Sequence, residues 1–311
     1  MDVFIQQIVN GLVLGSIYAL IALGYTMVYG VLGIINFAHG DVLMIGAMSA
    51  LSAINLLNKF FPNLPAWLTL LLALLFAMPV CAIVGYLMER IAYRRLRNAP
   101  RLAPLITAIG VSIVLETLGM MIWSRDPLPF PQLLPSSPIA IGATGATITG
   151  REIIIIVVAL AVMTGLMLLV NHTRLGRAMR ATAENPRVAG LMGVNPDFVI
   201  SATFIIGAVM AAVAGVMMAT NYGNANFYMG FIPGLKAFTA AVLGGIGNLA
   251  GAMIGGLLLG LIEALGAGYI GDLTSGVFGS NYQDVFAFIV LIGVLLFRPS
   301  GIMGERLAER A

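Results

Sequence analysis

From Ile153 to Val170 the chain runs eighteen residues with nothing more polar than Thr164. As a helix such a run measures about 27 Å at ~1.5 Å per residue, close to the roughly 30 Å of a bilayer's hydrocarbon. Backbone groups in hydrocarbon find no water, so only helices and closed barrels can cross it. The run is continuous and not alternating, which predicts a helix and excludes a barrel. Comparable runs cover about 4–29, 39–57, 66–88, 102–123 and 198–220. Shorter ones follow at about 236–247 and 250–270, and a last one at about 283–298. Composition agrees. Only 9% of residues are charged, against roughly 25% in soluble domains, and the mean hydropathy is +1.00. A soluble chain of 32.7 kDa could not cover its surface with so few charges. The expected fold class is all-α: a polytopic membrane protein with about 8–9 transmembrane helices, some broken or re-entrant where glycines cluster. One transmembrane domain covers 1–311, and the longest polar interruptions lie near 124–151 and 172–197.

The basic residues set the orientation, because cytoplasmic connections collect Lys and Arg. Arg90, Arg94, Arg95, Arg97 and Arg101 stand between the third and fourth runs. Arg174, Arg177, Arg180 and Arg187 stand between the fifth and sixth. Arg298, Arg306 and Arg310 stand in the tail. These twelve of sixteen are assigned to the cytoplasm. The C-terminus is then cytoplasmic and the Pro-rich 124–151 outside, provided that 236–270 crosses twice and is not a re-entrant pair. Lys59, Arg125, Arg151 and Lys236 are spread over the other side, with Lys236 near a boundary where it can snorkel to water. The net charge of +3 follows topology and implies no nucleic-acid partner. The opening Met1-Asp2-Val3-Phe4-Ile5 has no basic region and is not expected to be a cleavable signal. Cys81, the single cysteine, can form no internal disulfide and reads as a packed thiol.

Glycines interrupt two apolar stretches: VYGVLGIINFAHGD, from Val28 to Asp41, and GGIGNLAGAMIGG, from Gly244 to Gly256. Interrupted hydrophobic segments in both halves of a chain point to a transport site. The first carries Asn36, His39 and Asp41; the second carries Gly244, Gly245 and Asn248. Glu116 and Glu263 sit inside apolar runs. A charge at bilayer depth costs at least ~2.5–3.5 kcal/mol, so such groups face protein or a water-filled path. These residues are the substrate-pathway candidates; for the two glutamates the alternative is a structural hydrogen bond or ion pair. Small residues four apart, Gly11 and Gly15, Gly251 and Gly255, Gly256 and Gly260, suit close helix packing.

The connection 172–197 has more chemistry than a plain linker requires. Asn185 is a suitable N-cap and Pro186 a suitable first helical residue. Gly193 can end the short helix, and Asn195-Pro196 can start the next one. Ala189, Gly190 and Gly193 would let it sit in a partner's groove. The connection is expected to present a small helix at the membrane surface.

Enzyme signatures are missing. A P-loop is impossible, since neither Lys59 nor Lys236 follows a glycine. No His, Cys and carboxylate spacing suits zinc, HExxH is absent, and serine and lysine form no recognisable hydrolase dyad. The chain is therefore not expected to be an enzyme, and no cofactor is expected.

Four stretches together resemble the permease subunits of branched-chain amino acid ABC importers, and the likeness covers essentially the whole chain. They are NGLVLGSIYALIALGYTMVYGVLGIINFAHGD, RLGRAMRATAENPRVAGLMGVNPD, GLKAFTAAVLGGIGNLAGAMIGGLLLGLIEAL and RPSGIMG. The resemblance implies a bacterial inner-membrane assembly. Its partners are a second related permease, two cytoplasmic ATP-binding subunits and a periplasmic substrate-binding protein. It also implies that the connection holds a coupling helix docking on an ATPase, carried here by Ala183, Glu184, Asn185, Pro186, Arg187, Ala189 and Gly193. Many ABC importers show EAA-x3-G at this place; this chain shows ENP-x2-A-x3-G. That places it with the branched-chain amino acid and monosaccharide permeases. The implied mechanism is alternating access, with ATP hydrolysed by the separate subunits. The rival readings are a permease for another small solute (urea, a short amide or a monosaccharide) and an autonomous channel or ion-coupled carrier using Glu116 and Glu263.

Overall fold

A computed structural model describes residues 2–97, 99–100, 102–142, 145–273, 282–298 and 300–304. Arg101, Arg306 and Arg310, which helped to set the orientation, and Pro299 of the C-terminal motif lie outside the described residues. The helices are α1 (Asp2–Leu32), α2 (His39–Phe60), α3 (Ala66–Leu87), α4 (Leu102–Ile122), α5 (Gly150–His172), α6 (Arg174–Glu184), α7 (Pro186–Leu191), α8 (Pro196–Tyr222), α9 (Phe231–Gly244), α10 (Leu249–Leu273) and α11 (Gln283–Phe297). Among the described residues seven are long and apolar enough to cross a membrane, and α9 and α11 are shorter apolar helices. The chain is a polytopic all-α membrane protein.

Local chemistry explains the boundaries. Past Leu87, α3 continues through a wide turn at Met88–Tyr93 and a tight turn at Arg94–Leu96. A capping box opens α5: Glu152 N–H donates to the Thr149 hydroxyl, and Thr149 N–H donates to Glu152 at 2.7 Å. Asn195 caps α8 by accepting from Phe198 N–H, and Gly223, with φ +69°, ends it in the left-handed region. Two-residue strands β1 (Leu128–Pro129) and β4 (Asn224–Ala225) pair antiparallel. The strands β2 (Pro138–Ala140) and β3 (Thr147–Thr149) do the same, so β1 ties the Pro-rich stretch after α4 to the residues that follow α8.

The core is built by α1, α2 and α8, whose membrane-length segments are mostly enclosed, whereas α4 and α5 leave most of theirs uncovered. Helix α1 lies antiparallel on α10 through the expected glycines. A Cβ at Gly11 would come within 2.8 Å of Leu261 Cα, and one at Gly15 within 2.8 Å of Leu257 Cα. Gly256 and Gly260 face back onto Ala19 and Gly15, so backbone rests on backbone. Likewise Gly251 and Gly255 lie on Gly244. The last turn of α1, Val170 at the end of α5, α6 and the start of α10 meet around a cavity of about 130 Å³. This end, which also carries the arginines after α3, is called the arginine end below.

Candidate functional site

Residues 33–38 leave α1 at Gly33, whose φ of +66° lies in the left-handed region that favours glycine, and turn back into the bundle. They deliver His39 against Gly24, where any added side chain would overlap the imidazole. Gly24 is eight residues before Leu32, so α2 begins about 12 Å inside the arginine end. Beside it Gly230 starts α9 against Gly40, and Gly234 also touches Gly40. Two helix starts thus converge at membrane depth. At 14 residues α9 measures about 21 Å, short of a full crossing.

This first break holds Asn36, His39 and Asp41 together, all buried. Tyr93 donates to Asn36 Oδ1 at 2.8 Å. Asp41, in the first turn of α2 where the helix dipole favours an acid, accepts from the Ser112 hydroxyl of α4. Its Oδ1, the His39 Nε2 and the Thr26 hydroxyl have no hydrogen-bond partner. The rings of Tyr25 and His39 stand 4.9 Å apart edge to face, and Phe238 packs on Tyr25 and Phe37. Aromatic walls and unpartnered polar atoms therefore share one place in the fold.

The second break, between α9 and α10, turns at Gly245 and Gly247, with φ of +109° and +95°. It seats the C-terminal segment: Ile302 and Met303 donate to the carbonyls of Leu243 and Gly244, each at 2.9 Å. Asn248 caps α10 by accepting from Gly251 N–H and donates to Met303 O at 2.9 Å. The polar groups of Gly244, Gly245 and Asn248 are thus engaged with the chain itself.

The two glutamates part company. Glu116 is half-buried on α4, one turn beyond Ser112. Glu263 is enclosed and lies 2.6 Å from Lys236 Nζ, which is also 2.6 Å from Asp284 Oδ1. Tyr18 donates to the same Glu263 oxygen at 3.2 Å. Lys236 is thus buried inside the bundle and not at a boundary, because α9 starts at depth and carries it onto two carboxylates.

The connection contains two helices, not one. Thr173 caps α6 by accepting from Gly176 N–H, and Gly176, Met179 and Thr182 are its buried face. Ala183 and Glu184 close α6. Asn185, which precedes a proline and so disfavours the helical region, breaks it at φ −156°. Its side chain then caps α7, accepting from Arg187 N–H at 3.0 Å and Val188 N–H at 3.2 Å, with Pro186 at the first helical position. Gly193, at φ +85°, reverses the chain, and Val194 N–H returns to Ala189 O. Ala189 faces inward. Val188, Leu191 and Met192 face outward, the last two 86% and 80% exposed. The sequence reading passed over Leu191 and Met192, although an apolar pair flanked by Gly190 and Gly193 was a visible signal.

A polar cluster was also missed. Glu89, fully enclosed, accepts from Arg94, Arg97 and Ser201, and Arg97 pairs with Asp197 at the start of α8. In the sequence these arginines signal topology alone.

A profile described as the branched-chain amino acid transport system permease component matches residues 7–295. The chain belongs to that family. It is 49% identical over 310 residues to the high-affinity branched-chain amino acid transport system permease protein BraD of Pseudomonas aeruginosa, covering 99% of this chain and 98% of BraD. It is 45% identical over 311 residues to LivH of Escherichia coli K12, covering 99% and 97%. The autoinducer 2 import system permease protein LsrC of Yersinia enterocolitica is 32% identical over 48% of this chain and 39% of its own length. The family member described here is a multi-pass transport permease.

Proposed function

We propose that this chain is the membrane subunit of an ATP-driven importer that carries branched-chain, aliphatic amino acids across a bacterial inner membrane by alternating access. The observation that carries the reading is near-full-length identity of 45–49% to permeases named for that transport. The partners in this reading are a second related permease, two cytoplasmic ATP-binding subunits and a periplasmic binding protein. The arginine end and the C-terminus then face the cytoplasm, and the whole chain acts as one permease domain.

In this reading α7 is the coupling helix. Asn185 and Pro186 start it, Ala189 seats it on the chain's own helices, and Gly193 returns the chain to α8. Glu184, Arg187, Val188, Leu191 and Met192 present charge and apolar surface to an ATPase groove. The first break is the substrate-facing element. Asp41 would meet the ammonium, the helix starts of α2 and α9 would meet the carboxylate, and Tyr25, Phe37 and Phe238 would line the aliphatic side. Glu116 lies along the same path, while Gly244, Gly245, Asn248 and Glu263 hold α9, α10 and the C-terminal segment together. A strain lacking this chain tests the substrate class. Restoring the chain should restore labelled leucine uptake that isoleucine and valine compete and urea and ribose do not; competition by urea or ribose alone would assign it to another solute.

A further inference from the structure

The Glu89 cluster connects the return from α7 with the first break. Asp197 lies in the first turn of α8, four residues past Gly193, where the chain returns from α7. Its carboxylate takes a hydrogen bond from Arg97 at 2.5 Å. Arg97 also donates to Glu89, which accepts from Arg94 at 3.1–3.2 Å and from Ser201 at 2.8 Å. Glu89 stands inside the wide turn of Met88–Tyr93, and Tyr93 ends it. The Tyr93 ring packs on Phe204 of α8 at 5.2 Å, and its hydroxyl reaches Asn36 in the first break.

A buried carboxylate that needs four donor contacts is an expensive way to join helices, since apolar packing of the same volume often serves as well. A wide turn inside a helix is likewise rare and concentrated at functional positions. Tightening it to ordinary α geometry would rotate Tyr93 by about 100°, one residue's worth, and take its hydroxyl from Asn36. One end of this element is tied to Asp197 in the first turn of α8, and the other reaches Asn36 in the break.

We propose that Glu89 and Tyr93 are positioning residues that transmit the displacement of α7 to the first break through the wide turn. The proposal rests on the importer reading. Its test uses the assembled complex in proteoliposomes, with uptake and ATP hydrolysis measured together. ATP-dependent leucine uptake by the unaltered complex checks the importer reading by itself. Tyr93→Phe and Asp197→Ala should each assemble normally and keep basal ATP hydrolysis. Each should lower uptake per ATP by roughly 2- to 30-fold, the span of coupling effects along a contiguous network. The double variant should be no worse than the poorer single, because both interrupt one line of contacts. A merely structural role would reduce the amount of complex and leave the ratio unchanged. An unchanged ratio in either variant, or losses that multiply in the pair, overturns the proposal.

Discussion

Lys236 Nζ lies 2.6 Å from Glu263 Oε1, and neither side chain is more than 5% exposed. Removing one partner strands a charge in the bundle. Lys236→Met should therefore cost roughly 3–5 kcal/mol, and much of that should return in the double variant Lys236→Met, Glu263→Leu. Thermal unfolding in detergent checks this. Equal destabilisation in the single and double variants would show that the pair is not what holds α9 to α10.

The glycine contact between α1 and α10 makes a second prediction. Gly15→Val places its Cβ 2.8 Å from Leu257 Cα, a backbone atom that cannot yield. The helices must separate, with an overpacking cost of about 1–3 kcal/mol or more. Gly110, which has open space around it, should accept alanine with little effect. Folded yield by size-exclusion chromatography separates the two cases.

Much of this architecture was legible because hydrocarbon imposes a simple rule: long apolar runs become helices. The predicted runs 39–57, 102–123 and 153–170 became α2, α4 and α5 within a few residues. Breaks were legible for a similar reason, since Gly245 and Gly247 adopt backbone angles closed to other residues. Side-chain partnerships across the bundle were not. Lys236 looked like a boundary residue because nothing local reveals that α9 starts at depth. Nothing local to Glu89 points to its partner Ser201, which is 112 positions away. The Asn185 cap was readable because capping is local chemistry, but α6 was not expected, since its buried Gly176, Met179 and Thr182 are defined only by the surface they cover.

The cap offers a third prediction. Asn185→Ala removes the acceptor for Arg187 and Val188 N–H and should loosen α7 by about 1 kcal/mol. Asn185→Ser keeps an acceptor and should behave nearly as the unaltered chain. Leucine uptake normalised to membrane protein should fall for alanine and not for serine. Equal uptake in both variants would remove the ordered helix from the coupling account.

Docking through α7 predicts a sharper loss for surface changes. Glu184→Lys, Leu191→Asp or deletion of 184–193 should abolish uptake while the chain stays in the membrane at normal amounts. Co-purification of the ATP-binding subunits should fall in parallel. Normal uptake by Glu184→Lys together with Leu191→Asp would exclude this surface as the docking site.

At the first break, Asp41→Asn keeps the shape and the contact with Ser112 but removes the charge. It should lower leucine uptake about tenfold or more if the ammonium is recognised there, consistent with a hydrogen bond to a charged group at ~1.5–3 kcal/mol. Uptake kinetics in membranes holding equal amounts of protein decide this, and unchanged kinetics would move substrate recognition elsewhere.

Dependence on ATP-binding partners is the centre of the account. The direct measurement is labelled leucine uptake into proteoliposomes that hold this chain alone, or this chain with its partner permease, ATP-binding subunits and binding protein. Uptake only by the full assembly, and only with ATP, is the expected result. Leucine entry into vesicles with this chain alone and no ATP would contradict it and make the chain an autonomous carrier.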